Sequence, residues 1–280
     1  MKKIIFMLSI HLCCLYGQDD LLEMIMEEKE FSSPVQATFK ATRIVNAQSI
    51  EMPRVKTLEF MILHRFGSMS DYFYDFFGMD EAVIRFDLKY GLNNRFSFGL
   101  GRSSLNKTYD FFTKLKLLNQ KNGQKSIPVS ICIFSKIEIQ AINRELDMID
   151  RITFDLQALI ARKFNRSFSF QIMPTLIHRN LVQTEDTSHD LISLGVGGRI
   201  KITNRTSLNF DTFFPLGHRP DQFKQGWGLG CDIETGGHVF QLMITNAQGS
   251  YESEYVEHAT GQFEDLNLYL GFNISRVFTL

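Results

Sequence analysis

Charged side chains recur at every second position in several segments of this sequence, with apolar side chains between them. In 82–91, AVIRFDLKYG, Arg85, Asp87 and Lys89 alternate with Phe86 and Leu88. The same parity elsewhere gives the full set of candidate functional residues: Arg85, Asp87, Lys89, Lys114, Lys116, Arg199 and Asp211. Such groups, enclosed in an aqueous space, either form a path for small polar solutes or close on one another as ion pairs that fill the space.

Metal and cofactor chemistry finds little support in the sequence. Asp232, Glu234 and His238 flank a TGG turn and form a conceivable metal site. A polar turn at a rim explains them as well. Cys132 and Cys231 fall on opposite parities of well-separated segments, so we predict no disulfide between them. We expect no metal site and no cofactor.

Twelve segments with a two-residue period dominate the chain from residue 57 onward. They are 57–66, 82–91, 94–103, 107–117, 127–136, 151–163, 166–177, 189–202, 206–214, 225–235, 238–246 and 266–278. Most have the roughly 9–11 residues that a tilted strand needs to cross a bilayer. The links between them alternate between short turns, such as GLNN and FNRS, and longer loops, such as 67–81 and 136–150. The short link at 103–106 is the one exception. This alternation predicts an antiparallel up-and-down barrel of about twelve strands.

The N-terminal residues differ from this pattern. Lys2 and Lys3 precede an apolar run, and we predict a signal peptide over 1–17. A short amphipathic helix is expected at 18–35. Residues 18–56 are placed outside the wall, as a periplasmic helix and a segment that either enters the lumen or remains a disordered leader. The barrel domain is 57–280.

The alternation alone does not decide which face of the strands is exposed to water. A soluble lipocalin-like barrel or a sandwich gives the same alternation with the sides reversed. Twelve strands enclose an interior that is hard to fill with Phe and Leu alone, whereas eight give a well-filled one. Together with the expected signal peptide and the alternating link lengths, this favours an apolar face turned to lipid in the outer membrane. The formal net charge of −1 argues against nucleic acid as a partner.

Several long strings resemble a family of uncharacterised β-barrel domains from Bacteroidetes-type bacteria. They include VQATFKATRIVNAQSIE at 35–51, YDFFGMDEAVIRFDLKYGL at 74–92 and CDIETGGHVFQLMITNAQG at 231–249. The resemblance covers nearly all of the chain after the expected signal peptide. It implies an outer-membrane barrel, and it implies no activity, substrate or catalytic residue.

The leading functional expectation is a narrow pore or binding barrel for small polar solutes. The alternative is a non-conducting structural or interaction barrel, whose partner in the periplasm would bind the 18–35 helix. No histidine is followed two residues later by serine, the pair that outer-membrane phospholipases place on a strand. We therefore predict no catalytic residues and no enzyme activity, with a lipid-modifying enzyme as the outlying alternative.

Overall fold

The wall of the molecule is a closed barrel of twelve antiparallel strands. The computed structural model describes residues 33–123, 125–142, 144–182, 188–217 and 222–280. The strands are β1 (Thr57–Ser68), β2 (Ala82–Gly91), β3 (Phe96–Ser103), β4 (Thr108–Leu118), β5 (Ser130–Gln140), β6 (Ile152–Lys163), β7 (Phe168–Arg179), β8 (Asp190–Lys201), β9 (Thr206–Leu216), β10 (Trp227–Thr235), β11 (His238–Thr245) and β12 (Tyr269–Thr279). Each strand pairs with the next along the chain, and β12 closes on β1. The predicted up-and-down barrel is confirmed.

Side chains alternate along these strands between a closed interior and an open outer face. Arg85 and Asp87 on β2 are 0% exposed, whereas Leu88 between Asp87 and Lys89 is 41% exposed. On β3, Leu100 is 58% exposed. An outer surface of Phe, Leu and Ile is favourable only against lipid, because in water it would form one continuous apolar band.

The two ends of the barrel differ in the length of their links. Short turns follow β2, β6, β8 and β10 at one end, here called the short-turn end. In three of these turns, a side-chain oxygen accepts hydrogen bonds from two backbone N–H groups. The acceptor belongs to Asn93 in the first turn, to Asn165 in the second and to Thr203 in the third. The opposite, long-loop end carries the longer links, with a short 3₁₀ turn at Leu105–Lys107 between β3 and β4.

The largest difference from the predicted strands lies in β5. The predicted segment ends at residue 136, and the prediction of a loop over 136–150 is wrong for its first residues. Ladder pairing with β4 continues to Gln140, opposite Thr108. The alternation also continues, since Lys136 and Glu138 are buried while Ile137 is exposed. Two charged wall positions were therefore missed.

The N-terminal predictions fall mostly outside the described residues. The expected signal peptide at 1–17 lies wholly outside them, and so does the 18–35 helix up to residue 32. Ser33–Pro34 pairs with Lys121–Asn122 at the short-turn end. Across the described residues, helices are all too short or too polar to span a bilayer. Cys132 and Cys231 are free thiols, as predicted.

A charge placed on the outer face should destabilise the barrel in a depth-dependent way. Leu194 lies near the middle of β8 and is 40% exposed, whereas Ile202 in the following turn is 58% exposed. We expect Leu194→Arg to cost about 2–4 kcal/mol and Ile202→Arg about 0–1 kcal/mol. Urea unfolding in lipid vesicles, followed by the gel mobility of the folded barrel, measures both. Equal costs for the two variants would contradict a lipid-facing wall at Leu194.

Candidate functional site in the barrel lumen

Residues 38–50 form a hairpin inside the barrel, here called the lumen hairpin. It enters from the short-turn end, where Val35 N–H donates to Gln120 O and Lys56 N–H donates to Gly91 O. Its tip is closed by a hydrogen bond from Ile44 N–H to Ala47 O. Every residue of the hairpin except Lys40 is buried. The segment thus lies within the lumen and not in the wall.

Polar wall side chains hold the hairpin through its backbone. The Asp211 carboxylate accepts the N–H groups of Val45, Asn46 and Ala47 at 2.8–2.9 Å. Lys114 Nζ donates to three hairpin-side carbonyls, at Thr42, Ser49 and Glu51. Further backbone carbonyls accept from Gln171, Arg199, Gln241 and Asn273. Because these groups satisfy the backbone that a strand ladder would otherwise satisfy, an irregular segment is stable at membrane depth.

A second segment enters the lumen from the long-loop end. Residues 246–261, here called the mouth loop, link β11 to β12 and carry the short helix α1 (Glu252–Glu257). All of them are buried except residues 248, 254, 258 and 260. The Tyr255 ring packs on Phe213 of the wall, with centroids 5.3 Å apart. A Cβ on Gly226 would stand 1.8 Å from Tyr255 O, so glycine at this position lets the helix approach the wall.

The lumen hairpin and the mouth loop meet inside the barrel. Gln48 Nε2 donates to Glu252 Oε1 at 2.9 Å, and the Tyr255 hydroxyl donates to the same oxygen at 2.9 Å. The partner of the other Glu252 oxygen is Lys136 Nζ on β5, at 2.5 Å. The lumen is therefore filled from both ends, with Glu252 at the junction.

Alternating charges connect the hairpin to the mouth loop through the wall. Arg43 of the hairpin pairs with Asp87 at 3.3 Å, and Arg85 bridges Asp87 at 2.7 Å to Asp110. The Arg85–Asp110 contact is bidentate, at 2.6 and 2.8 Å. From Asp110 the chain of charges continues to Lys136, Glu138 and Glu252. Buried pairs of this kind stabilise only when their geometry is good, because each charge has lost its hydration.

A smaller group of charges fixes the hairpin near its base. Lys89 Nζ lies 3.3 Å from Glu59 Oε1 and donates to Thr42 Oγ1 at 2.5 Å. The Thr42 hydroxyl in turn donates to Glu59 at 2.8 Å. These three groups satisfy one another without bulk water.

The charge environment shifts the acid–base equilibrium of Glu252. Burial alone would raise the pKa of this carboxyl, but Lys136, Arg43 and Arg85 outweigh it and hold the pKa below its ordinary value. Glu252 is consequently ionised wherever the mouth loop is docked.

Six of the seven predicted lumen residues fall into three groups, and Lys116 belongs to none of them. Arg85 and Asp87 belong to the chain of charges, and Lys89 to the group at the hairpin base. The residues that hold the hairpin backbone are Lys114, Arg199 and Asp211. Lys116 stands apart, half-buried where β4 forms an irregular pairing with β5.

Sequence reasoning missed the residues that come from outside the predicted strands. Arg43 lies in a segment without strand periodicity, and Glu252 lies in a long external link. Asp110 and Lys136 sit on strands, and the continued alternation of KIEIQ after residue 135 was the available signal for Lys136 and Glu138. For Arg43 and Glu252 the sequence contains no comparable signal.

The residues of the conceivable metal site, Asp232, Glu234 and His238, contact different partners. Asp232 faces the lumen and accepts from Gln241 at 2.8 Å, whereas Glu234 pairs with Lys40 of the hairpin. His238 lies opposite Thr235 in the turn. The three residues of the conceivable metal site are therefore not brought together around a common point.

A polar cavity of about 680 Å³ lies above the mouth loop at the long-loop end. Arg179 lines it and pairs with Glu257 at 2.9 Å, and its Nη2 lies 3.1 Å from His258 Nδ1. Asn106, Arg151 and Glu254 also face this space. The cavity offers donors and acceptors to a small polar molecule, and its floor is the mouth loop itself.

Removing the negative charge of Asp211 should loosen the lumen hairpin. Asp211→Asn leaves one neutral acceptor for three N–H groups, and hydrogen bonds to a charged group contribute about 1.5–3 kcal/mol each. We expect faster hydrogen–deuterium exchange over residues 42–49, with the wall strands unchanged. Asp190→Asn at the exposed end of β8 is the matched control. Unchanged exchange in Asp211→Asn would contradict the anchoring role.

Acid should weaken the attachment of the mouth loop. The pKa of Glu252 is lower in the folded barrel than in the unfolded chain. The contribution of the ionised Glu252 carboxylate to the stability of the folded barrel is therefore complete above the ordinary carboxyl pKa of about 4.3. It is lost as the pH falls through the lower pKa of the folded state. Between about pH 6 and about pH 3, the Tm of the wild type should fall more than that of Glu252→Gln. Identical acid sensitivity of the two proteins would contradict this assignment.

Comparison with known proteins places the chain by family and by fold. The family model DUF5777, described as a membrane-bound β-barrel domain, matches residues 39–278, a range that includes the lumen hairpin from its second residue. A comparison with curated proteins gives no match.

Among solved structures, the fold is similar to that of an outer-membrane channel from Pseudomonas putida F1. That match has a TM-score of 0.52 and 13% identity, and it covers 86% of this chain and 100% of the other. The NanC porin has a TM-score of 0.49 and 9% identity over 80% of this chain and 99% of its own. Omp33 of Acinetobacter baumannii has a TM-score of 0.45 and 9% identity over 82% of this chain and all of its own.

The match to the Pseudomonas putida channel shows a shared fold alone, and together with the membrane-bound β-barrel family it supports an outer-membrane location. The family match covers most of the chain and both segments that fill the lumen. This chain belongs to the DUF5777 family of membrane-bound β-barrel domains.

Proposed function

We propose that the protein is a gated outer-membrane channel for small polar solutes, which the lumen hairpin and the mouth loop hold closed. The observation that supports this most directly is the Gln48–Glu252 contact, where two separate segments meet to fill the lumen. A small barrel is filled by its own wall side chains. Here the filling comes from segments that can leave the lumen without breaking a single wall strand.

The contacts of the hairpin with the wall also suit a gate. Asp211, Lys114 and Gln241 hold backbone groups through hydrogen bonds, which water can replace when the hairpin withdraws. The hairpin also packs Phe39, Ile44 and Val45 into an apolar cluster with the wall, and opening would have to expose this hydrocarbon as well. The wall that remains carries charged groups of both signs and neutral amide groups, and these favour the passage of polar solutes.

Solute would first occupy the cavity above the mouth loop. This cavity lies at the end that carries the long links, which we assign to the cell exterior. The short-turn end, where the hairpin enters, then faces the periplasm. A periplasmic partner that binds the expected 18–35 helix would act directly on the hairpin, since only a few residues separate them.

The alternative is a non-conducting structural or interaction barrel. The observation in its favour is the chain of charges, in which Arg85, Asp87 and Asp110 are almost fully buried. Breaking such pairs without replacing them is costly. Catalysis is not part of either proposal.

Planar-bilayer conductance distinguishes the two proposals. Residues 38–50 are to be replaced by a short Gly-Ser linker, and heat-modifiable gel mobility is to confirm that the variant folds. We expect rare, small openings from the wild type, a larger steady conductance from the linker variant, and more frequent openings from Asp211→Asn. If the linker variant folds but carries no current, either in neutral salt solution or at acidic pH, the barrel does not conduct.

A further inference from the structure

Three buried carboxylates gather where the mouth loop meets the wall. Glu138 on β5, Asp155 on β6 and Glu252 on α1 each place an oxygen within 4.8 Å of the other two. They are 1%, 2% and 0% exposed. Glu138 and Asp155 come together because they face the lumen on adjacent strands, where Glu138 pairs with Thr153 and Asp155 with Lys136.

Asp155 differs from the other two in its hydrogen bonding. Glu138 accepts from Ser253 Oγ at 2.5 Å, and Glu252 accepts from Gln48, Tyr255 and Lys136. Among the described residues, no N–H group and no hydroxyl group donates to either oxygen of Asp155, which lies against the Glu138 carboxylate. A buried carboxylate without a donor or counter-ion is strongly unfavourable.

A neutral oxygen beside the cluster is also without a partner. The Gln48 side chain donates from Nε2 to Glu252, and its Oε1, on the same amide group, accepts no hydrogen bond from the described residues. Gln48 is 1% exposed. The free oxygen therefore belongs to the lumen hairpin, yet it lies next to a carboxylate of the mouth loop.

The formal charges indicate that the cluster of three carboxylates lacks positive charge. In the neighbouring part of the network, Arg43 and Arg85 balance Asp87 and Asp110. The ammonium of Lys136 remains to balance the cluster, and it contacts Glu138 at 2.6 Å and Glu252 at 2.5 Å. When all three carboxylates are ionised, the one ammonium leaves a deficit of two positive charges, which one divalent cation would supply.

We propose that Glu138, Asp155 and Glu252 bind a divalent cation of the calcium class, with the Gln48 amide oxygen as a further ligand. Ca²⁺ takes carboxylate and amide oxygens at about 2.3–2.6 Å. The ligands of such an ion lie at most about 5 Å apart, and the three oxygens are within 4.8 Å of one another. Mg²⁺ demands a near-ideal octahedron with shorter bonds of about 2.0–2.1 Å, so carboxylates fixed on three separate elements suit the more flexible shell of Ca²⁺ better.

Such an ion would connect three parts of the molecule. Its ligands come from the wall, from the mouth loop and from the lumen hairpin. Binding would stabilise the docked arrangement of both segments against undocking, because an ion that binds only the closed state shifts the equilibrium toward it. This proposal differs from the sequence-based expectation of no metal site, and it is independent of whether the barrel conducts.

Terbium luminescence tests the site in the full-length, folded protein. Tb³⁺ replaces Ca²⁺ at oxygen sites and is sensitised by nearby phenol rings, and the Tyr255 hydroxyl lies 2.9 Å from Glu252 Oε1. After treatment with EDTA, the wild type should give Tb³⁺ emission that excess Ca²⁺ displaces. Its Tm should rise with added Ca²⁺, and less with Mg²⁺.

Asp155→Asn should lose most of the Ca²⁺-displaceable emission and the Ca²⁺-dependent rise in Tm. Asp232→Asn is the matched control, because Asp232 is a carboxylate of the same lumen with 2% exposure and with its own donors, Gln241 and Ser207. This variant should keep both responses. If Asp155→Asn does not fold, the wild-type titrations alone decide the matter.

Two results would overturn the proposal. One is a wild type whose Tm and Tb³⁺ emission do not respond to Ca²⁺. If Asp155→Asn then raises the Tm at neutral pH, a shared proton neutralises the cluster instead. The other is a Ca²⁺ response of equal size in Asp155→Asn, which would place the bound ions on surface carboxylates.

Discussion

The contact of Glu252 with both Lys136 and Gln48 is the interaction on which the closed lumen depends. It joins the mouth loop to the wall through an ion pair and to the lumen hairpin through a hydrogen bond. Around it, Arg43, Arg85 and their carboxylates are buried too deeply to be hydrated. Each of these charges must therefore find its partner within the protein. Two of these partners, Arg43 and Glu252, come from segments that are not part of the wall.

This requirement explains why a twelve-stranded wall is not left open. Its inward face carries more polar groups than neighbouring strands can satisfy for one another, since side chains at alternate positions on adjacent strands meet only their nearest neighbours. The backbone of the lumen hairpin supplies donors for Asp211 and acceptors for Lys114. The hairpin and the wall are thus complementary in hydrogen bonding, and neither is complete alone.

The same complementarity sets the terms for function. The hydrogen bonds and ion pairs make the closed lumen sensitive to pH and to cations, whereas the apolar cluster around Phe39, Ile44 and Val45 holds it closed without that sensitivity. The buried charges also oppose opening, so the balance between a gate and a permanent plug depends on how well water and ions replace the broken pairs.

The alternation of residues along 82–91 and its repeats was enough to predict the barrel, its strand number and the lumen parity of Arg85, Asp87 and Lys114, because strand geometry sends successive side chains to opposite faces. Alternation did not show which lumen charges meet, since pairing depends on the register of neighbouring strands. It also failed at Lys136 and Glu138, where a continuing strand was taken for a loop.

The positions of Arg43 and Glu252 were decided by tertiary structure alone. Arg43 lies in the irregular lumen hairpin and Glu252 begins the six-residue helix α1, and the position of each segment is set by the wall around it and not by local periodicity. The sequence by itself determined a closed barrel with charges inside and hydrocarbon outside. Only the folded molecule decided that two loops fill it, because that outcome depends on charges far apart in the chain satisfying one another out of reach of water.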